Sequence, residues 1–371
     1  MTRNTSFEIF LTALPGLEEA LLAEVRGKGF RRPRAVPGGV VLEGGWPEVW
    51  RANLWIRGAG RVLARIARFR VEHLAQLDGR ARHLPWAAVL RPDIPVRVEA
   101  TCSRSRIYHS GAAAERIERA IRETLGAPVS EEAEVTVRVR IENDICTVSL
   151  DTSGDLLHRR GHKQAVNVAP MRETMATLFL RQCGFEGNEP VFDPMCGSGT
   201  FIIEAAEIAA HLNPGRDRAF AFAQLATFDP EAWARMRGVN PFRVPQARFF
   251  GRDRDAGAIT ISQANAERAG IAAFTDFQRA TISEATPPPG PPGLVIVNPP
   301  YGNRLGDKKQ LLPLYQALGH VLLTRFSGWR VGLVAAEPRL AQATRLPFLP
   351  SSPPVPHGGL RVTLHRTAAL P

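Results

Sequence analysis

Asn298, Pro299, Pro300 and Tyr301 end an unbroken apolar run, Leu294 to Val297. The asparagine and the two prolines present fixed hydrogen-bond acceptors where a flexible loop would not, and the tyrosine adds a flat face. Acceptors beside a stacking face suit a planar ring that bears an exocyclic amino group, so the chemistry these four residues point to is chemistry on a nucleobase. The plain alternative is a strand-to-turn junction, since Asn-Pro steps commonly mark turns. The run before them lacks alternation and is bounded by Gly293 and a proline pair, which predicts a central strand of a parallel sheet, buried on both faces. Ligands bind at the carboxyl edge of such a sheet, where this tetrad would sit.

A second candidate lies upstream. A short predicted strand, Pro190 to Phe192, leads into Asp193, Pro194, Met195, Cys196, Gly197, Ser198, Gly199 and Thr200, and then into a helix with Ile202, Ile203, Ala206, Ala209 and Ala210 on its apolar face. Glycines between a strand and a helix let backbone approach a ligand and aim free N–H groups at its negative end. No Gly-Lys-Ser/Thr follows, so a triphosphate cradle is excluded. Further strands are expected at Arg248 to Phe250, Phe274 to Gln278, Leu294 to Val297 and Val331 to Val334, and helices at Arg172 to Cys183 and Ala256 to Ala269. An acid closing the second strand is placed to take a ribose diol, and Asp253 fits that role; Asp255 is the candidate cap of the next helix.

The first half reads as smaller pieces. Strands are expected at Phe7 to Leu11, Val40 to Leu42, Val62 to Phe69, Pro95 to Ala100, Val135 to Ile141 and Cys146 to Leu150. Helices are expected at Leu17 to Arg26, Trp46 to Arg57 and Ala112 to Leu125. Elements this short, alternating, suggest α+β sandwiches. Arg104 and Arg106, with Ser103, Ser105, Tyr108 and His109, suit phosphates and unpaired bases, or form a solvated turn. The run His158, Arg159, Arg160, Gly161, His162, Lys163 reads as a linker whose charges face a groove between domains.

Composition sets the frame. The 371 residues are long enough for two or three domains, and 44% hydrophobic with 22% charged residues is a globular balance. A formal net charge of +11 argues for an anionic partner, nucleic acid before membrane, although a preference for Arg over Lys can also reflect nucleotide composition. Cys102, Cys146, Cys183 and Cys196 have no paired spacing, so neither a metal centre nor a disulfide framework is expected, and a reducing cytoplasm fits. No signal pattern or membrane-length apolar run is present in this sequence. Oligomeric state is unreadable, for no heptad seam stands out.

Taken together, the chain resembles a known family. Phe7 to Phe30 with its Pro-Gly-Leu-Glu helix, and Arg61 to Leu125 with Trp86 and the Tyr108, His109, Ser110 turn, resemble the ferredoxin-like and THUMP domains of RNA-modifying enzymes. Asp193 to Thr200, Asn298 to Gly302, and His158 to Gly161 followed by Ala169 and Pro170 are similar to the THUMP-containing rRNA and tRNA guanine-N2 methyltransferases, which are often labelled N6-adenine methylases. The resemblance implies an α/β fold, with a Rossmann-like class I methyltransferase domain at 169–371. Ahead of it would come a ferredoxin-like region at 1–50, a THUMP RNA-binding domain at 51–155 and a linker at 156–168.

S-adenosylmethionine is the implied cofactor, held by Pro170, Asp193, Met195, Cys196, Gly197, Gly199, Thr200, Asp253, Arg254, Thr281 and Asn298. The catalytic residues would be Asn298, Pro299, Pro300 and Tyr301. Structured RNA, 23S rRNA or tRNA, would be gripped by Arg104, Arg106, Arg159, Arg160 and Lys163. The sequence departs from the family in carrying Thr281 where an Asp near the cofactor adenine is usual. Two other readings stay open: adenine-N6 methylation of RNA or DNA, and an RNA-binding assembly factor without catalysis.

Overall fold

The structure, a computed structural model, describes residues 6–164, 171–239, 241–301 and 311–371. It divides into two compact units. The first comprises Met1–Ala13, Leu22–Leu157 and Gly215–Val239, and the second Leu14–Leu21, His158–Pro214 and Asn240–Pro371.

The first unit is built on seven strands: β1 (Phe7–Thr12), β2 (Arg34–Val36), β3 (Gly39–Gly44), β4 (Val62–Arg70), β5 (Val96–Ser103), β6 (Val135–Glu142) and β7 (Ile145–Asp151). The α+β organisation expected of the short pieces is present, and all seven strands join one sheet in the order β2-β3-β1-β4-β7-β6-β5. The joint is the antiparallel pairing of β4 with β7, from Leu63↔Asp151 to Arg70↔Ile145. α1 (Glu18–Gly27) follows β1 in the chain, α2 (Trp46–Trp55) packs on β3 and β4, and α3 (Leu74–Arg82) packs on α4 (Ser110–Leu125), which covers β5.

Alternation does the sorting in this sheet. Ile9, Leu11, Val137, Val139, Ile141, Cys146, Val148 and Leu150 are buried. Their neighbours in sequence point to the other face and carry ion pairs: Arg65 with Glu8 at 3.0 Å, Arg34 with Glu8 at 2.6 Å, and Arg138 with Glu99 at 2.7 Å and Asp151 at 3.0 Å. That face is a mesh of arginines and carboxylates around a small apolar cluster of Phe10, Val41 and Leu63.

The second unit holds α5 (Glu173–Gln182), β8 (Val191–Asp193), α6 (Thr200–Ala209), β9 (Phe249–Asp253), α8 (Ala256–Arg268), β10 (Thr275–Arg279), β11 (Leu294–Val297), α9 (Leu311–Arg325), β12 (Arg330–Ala335), α10 (Pro338–Ala343), β13 (Val355–His357) and β14 (Leu360–Arg366). The helix between α6 and β9 in the chain, α7 (Pro230–Gly238), belongs to the first unit. Strand order is β10-β9-β8-β11-β12-β14-β13. β8 to β12 are parallel, and β14 runs antiparallel to β12.

All four residues of β11 are fully buried, as an unbroken apolar run between two parallel neighbours requires. Behind it, Leu311, Tyr315, Leu318 and Leu322 of α9 pack with Phe192 and Phe326 in one core cluster. α9 lies close to the end of α10: a Cβ added at Gly319 would stand 1.9 Å from the Thr344 carbonyl oxygen. Among the described residues no helix is long and apolar enough to cross a membrane. Because backbone cannot yield as a side-chain tip can, Gly319→Ala should cost about 1–3 kcal/mol and lower the midpoint of thermal unfolding; an unchanged midpoint by calorimetry would contradict this packing.

Candidate active site

The chain enters the second sheet at its centre, adds β9 and β10 on one side of β8, then crosses to β11 and β12 on the other. Strand order therefore reverses between β8 and β11, and a crevice at the carboxyl edge of such a reversal is where open α/β sheets take ligands. Three of the sequence motifs end there: Asp193 closes β8, Asp253 closes β9 and Asn298 follows β11. The registers Phe192↔Val295 and Asp193↔Gly251 set all three on one edge.

The glycine loop is held from several sides. Asp193 is 2% exposed and its Oδ1 accepts the Met195 N–H at 3.0 Å. Burial pushes its carboxyl well above the usual range, with the Met195 hydrogen bond opposing and the Asp253 charge adding to the rise. The Cys196 N–H donates to the Arg252 carbonyl at 2.8 Å, and the Gly197 N–H to Asp253 Oδ2 at 3.0 Å. From α8, Ser262 Oγ donates to the Gly197 carbonyl at 2.8 Å and Asn265 Nδ2 to the Ser198 carbonyl at 3.1 Å. Ser262 and Asn265 are loop supports the sequence reading missed; both fall on the inner face of a helix already expected there.

Two glycines are demanded by space. A Cβ at Gly251 would fall 2.4 Å from Phe277 Cδ1 and 3.1 Å from Cys196 Sγ. At Gly199, with φ +81°, it would meet Phe277 and Ser262 at 3.1 Å. A Cβ at Gly197 would meet nothing within 4 Å, so the loop backbone there stands beside open space. Cys196 is buried and its thiol pushed well above its usual value by desolvation, which makes it a packing residue of the loop rather than a nucleophile.

Asp253 spends one oxygen on Gly197 and the other on the Asp255 N–H at 3.0 Å. Asp255 caps α8 through Gly257 at 2.8 Å, as its position predicts. Asn298 is half-buried, and among the described residues its Oδ1 is enclosed with no hydrogen-bond partner. A buried acceptor left without a donor costs free energy of about 1–3 kcal/mol, and a ligand N–H would recover it. Met195 packs partly against the core cluster beside β11, and the exposed Arg254 lends its carbonyl to Arg279 Nε at 3.1 Å.

Several expectations are corrected by the geometry. Tyr301 is 0% exposed, so its ring is not an open stacking face; the Pro300 carbonyl beside it accepts the Tyr315 hydroxyl at 3.4 Å. Thr281, exposed at the end of β10, caps the turn Ile282–Glu284: its N–H and hydroxyl both donate to Glu284 Oε2, at 2.7 and 2.8 Å. The Thr-Ile-Ser-Glu spacing is a capping box, visible in the sequence. Pro170 lies outside the described residues.

The basic residues separate into two kinds. Arg104 and Arg106 are exposed in the first unit, paired with Glu142 and Glu72 respectively. Arg159 is exposed in the second unit. Arg160 is 3% exposed and directs its Nε to Glu204 of α6 at 3.2 Å, where Thr177 Oγ1 also donates at 2.6 Å. Lys163 Nζ donates to Thr200 Oγ1 and to the Met171 carbonyl, both at 2.8 Å, and lies 3.4 Å from Glu173. Arg160 and Lys163 therefore brace the first turns of α5 and α6 rather than offering themselves to RNA. The signal available in the sequence was Glu204 and Glu207 on an otherwise apolar helix.

Whether this edge fits S-adenosylmethionine is answered by the chain itself. Open space at Gly197, the carboxylate of Asp253 closing the second strand, and the enclosed acceptor of Asn298 suit a ligand with a ribose diol and a polar reacting end. These are the features of a class I S-adenosylmethionine-dependent methyltransferase, and S-adenosylmethionine is its cofactor.

The comparisons agree. The RMKL-like methyltransferase domain family matches residues 160–348, the RlmL ferredoxin-like domain residues 8–63 and the THUMP domain residues 72–151. The chain belongs to the RMKL-like, THUMP-containing methyltransferase family. A structure from Listeria monocytogenes, described as a predicted N6-adenine-specific DNA methylase, is 28% identical over 98% of this chain and 97% of that one, with a TM-score of 0.87. SMU.472, described as a putative methyltransferase complexed with SAH, is 24% identical over 99% of both chains, with a TM-score of 0.89. TrmN from Thermus thermophilus is 21% identical over 99% of this chain and 100% of that one, with a TM-score of 0.78. The last two likenesses show the fold.

Burial lowers the Lys163 ammonium from its ordinary value and raises the Glu173 carboxyl, each partly restored by the other. Lys163→Met should leave Glu173 buried without its cation and destabilise the protein by about 3–5 kcal/mol, and adding Glu173→Leu should recover much of that loss. Additive losses in denaturant melts of the single and double variants would refute the coupling.

Proposed function

We propose that this protein transfers a methyl group to the exocyclic N2 amine of a guanosine in structured RNA, 23S rRNA in the first instance. The observation that carries the reading is the enclosed Oδ1 of Asn298 at the carboxyl end of β11, which has no hydrogen-bond partner among the described residues. An aromatic amine is a poor nucleophile because its lone pair is delocalised into the ring. Asn298 Oδ1 and the Pro299 carbonyl accept its two N–H groups and turn the lone pair out of conjugation. S-adenosylmethionine supplies an electrophilic methyl carbon when bound. The residues that would hold it are the loop Asp193 to Thr200, with Asp253 toward the ribose. Rate then comes mainly from orientation, and the base must leave its stack to reach the site. Tyr301 supports the tetrad from within.

The division of labour we assign follows the sequence: 1–50 and 51–155 grip RNA, 156–168 connect, and 169–371 carry the chemistry. The choice of guanine in RNA over adenine rests on the THUMP region, whose match supports an RNA substrate. A second reading, adenine-N6 methylation, is favoured by the description of the Listeria relative, because Asn-Pro-Pro-Tyr serves either amine.

Asn298→Ala should lower methylation of RNA by at least about 100-fold, the scale for losing one positioned hydrogen-bonding group, with cofactor affinity by calorimetry largely unchanged. Retained turnover would refute the assignment. Failure of the wild-type protein to bind S-adenosylmethionine while binding RNA would favour the assembly-factor reading.

A further inference from the structure

Within the second unit, His158, Arg159, Arg160, Gly161, Lys163, Met171, Arg172 and Glu173 surround a cleft of about 370 Å³. Four of these residues are cations and one is an acid. Arg160 and Lys163 are turned inward, to Glu204 and to Glu173 and Thr200, and hold the wall of the cleft to the first turn of α6. Arg172 differs. It precedes α5, is exposed, and among the described residues its guanidinium makes no hydrogen bond or ion pair. Arg159 is exposed as well. His158 is half-buried and has no hydrogen-bond partner among the described residues.

The histidine reports the field in the cleft. Its imidazolium is suppressed to about 4, first by burial and then by Arg172, Arg160, Arg159 and Lys163. His158 is thus neutral at physiological pH and offers an N–H donor without adding charge. Among the described residues Arg172 has no carboxylate within ion-pair reach, and an anion in the cleft would supply that partner. The fork of a guanidinium matches two oxygens of a phosphate, and a phosphodiester keeps its charge at every pH where the protein is folded.

We infer that this cleft is a phosphate site for the RNA, in which Arg172 and His158, with Arg159, hold one backbone phosphodiester beside the first turn of α6. The inference rests on the RNA reading above and makes it more specific: it adds Arg172 and His158 to the interface and removes Arg160 and Lys163 from direct contact. The exposure of Arg172 and Arg159 favours a macromolecular phosphate over the carboxylate of a small cofactor.

The test is salt-dependent binding of the full-length protein to unmodified transcripts of 23S rRNA fragments and tRNA, with cofactor affinity measured in parallel. Arg172→Gln should weaken RNA binding several-fold and make the plot of log affinity against log salt shallower by about 0.7–1, the increment for one phosphate, with S-adenosylmethionine affinity unchanged. Arg172→Lys should keep the slope. By NMR of ring-labelled histidine, Arg172→Gln should raise the His158 titration from about 4 in the free protein, and RNA should raise it in the wild type. An unchanged slope in a variant that still binds RNA would overturn the phosphate assignment alone. Loss of cofactor affinity with an unchanged slope would assign the cleft to the cofactor carboxylate instead. A wild-type protein that binds cofactor and neither RNA would sink the functional reading itself.

Discussion

The hydrogen bond from the Gly197 N–H to the Asp253 carboxylate, beside that from the Cys196 N–H to the Arg252 carbonyl, ties the glycine loop to the end of the neighbouring strand. Everything at the carboxyl edge of the second sheet is arranged so that this link can form. Gly251 must lack a Cβ, since Phe277 and Cys196 occupy its space. The parallel register of β8 and β9 must bring Asp193 level with Gly251, and α8 must present Ser262 and Asn265 to the loop carbonyls. The same carboxylate also orders the entry to α8 through Asp255. One side chain therefore sets both the loop that approaches the ligand and the helix behind it.

On the other side of β8 the constraint is burial. β11 is apolar throughout, so it can only be central, and its first polar residue is Asn298. The strand thus delivers an amide to the ligand edge and encloses its oxygen, an acceptor with no hydrogen-bond partner among the described residues that a substrate N–H would satisfy. Glycine loop and asparagine are far apart in the chain and become one site only through the reversal of strand order between them.

This explains what was readable from the sequence. β11 was expected at Leu294 to Val297, where it lies, because an unbroken apolar run permits little else. The glycine loop is legible for similar reasons of pattern. What pattern could not give was the direction in which a charged side chain points. Arg159 and Arg160 are adjacent and identical in type, yet one is exposed and the other is buried against Glu204; only the packing of α6 distinguishes them. Tyr301 shows the same limit, its aromatic type suggesting a stacking face and its burial removing it. The cap that Thr281 makes is legible, since its capping box stands in the sequence three residues from Glu284. The single sheet of the first unit was hidden because pairing of β4 with β7 joins strands some eighty residues apart.

The central claim is that Asn298 presents an acceptor to the amine of a guanine in RNA. The most direct measurement is mass spectrometry of nucleosides from RNA of a strain lacking the gene, after incubation with purified protein and S-adenosylmethionine carrying a labelled methyl group. The account predicts labelled N2-methylguanosine with the wild-type protein and none with Asn298→Ala. Label appearing in N6-methyladenosine instead, or label in N2-methylguanosine undiminished by the substitution, would contradict it.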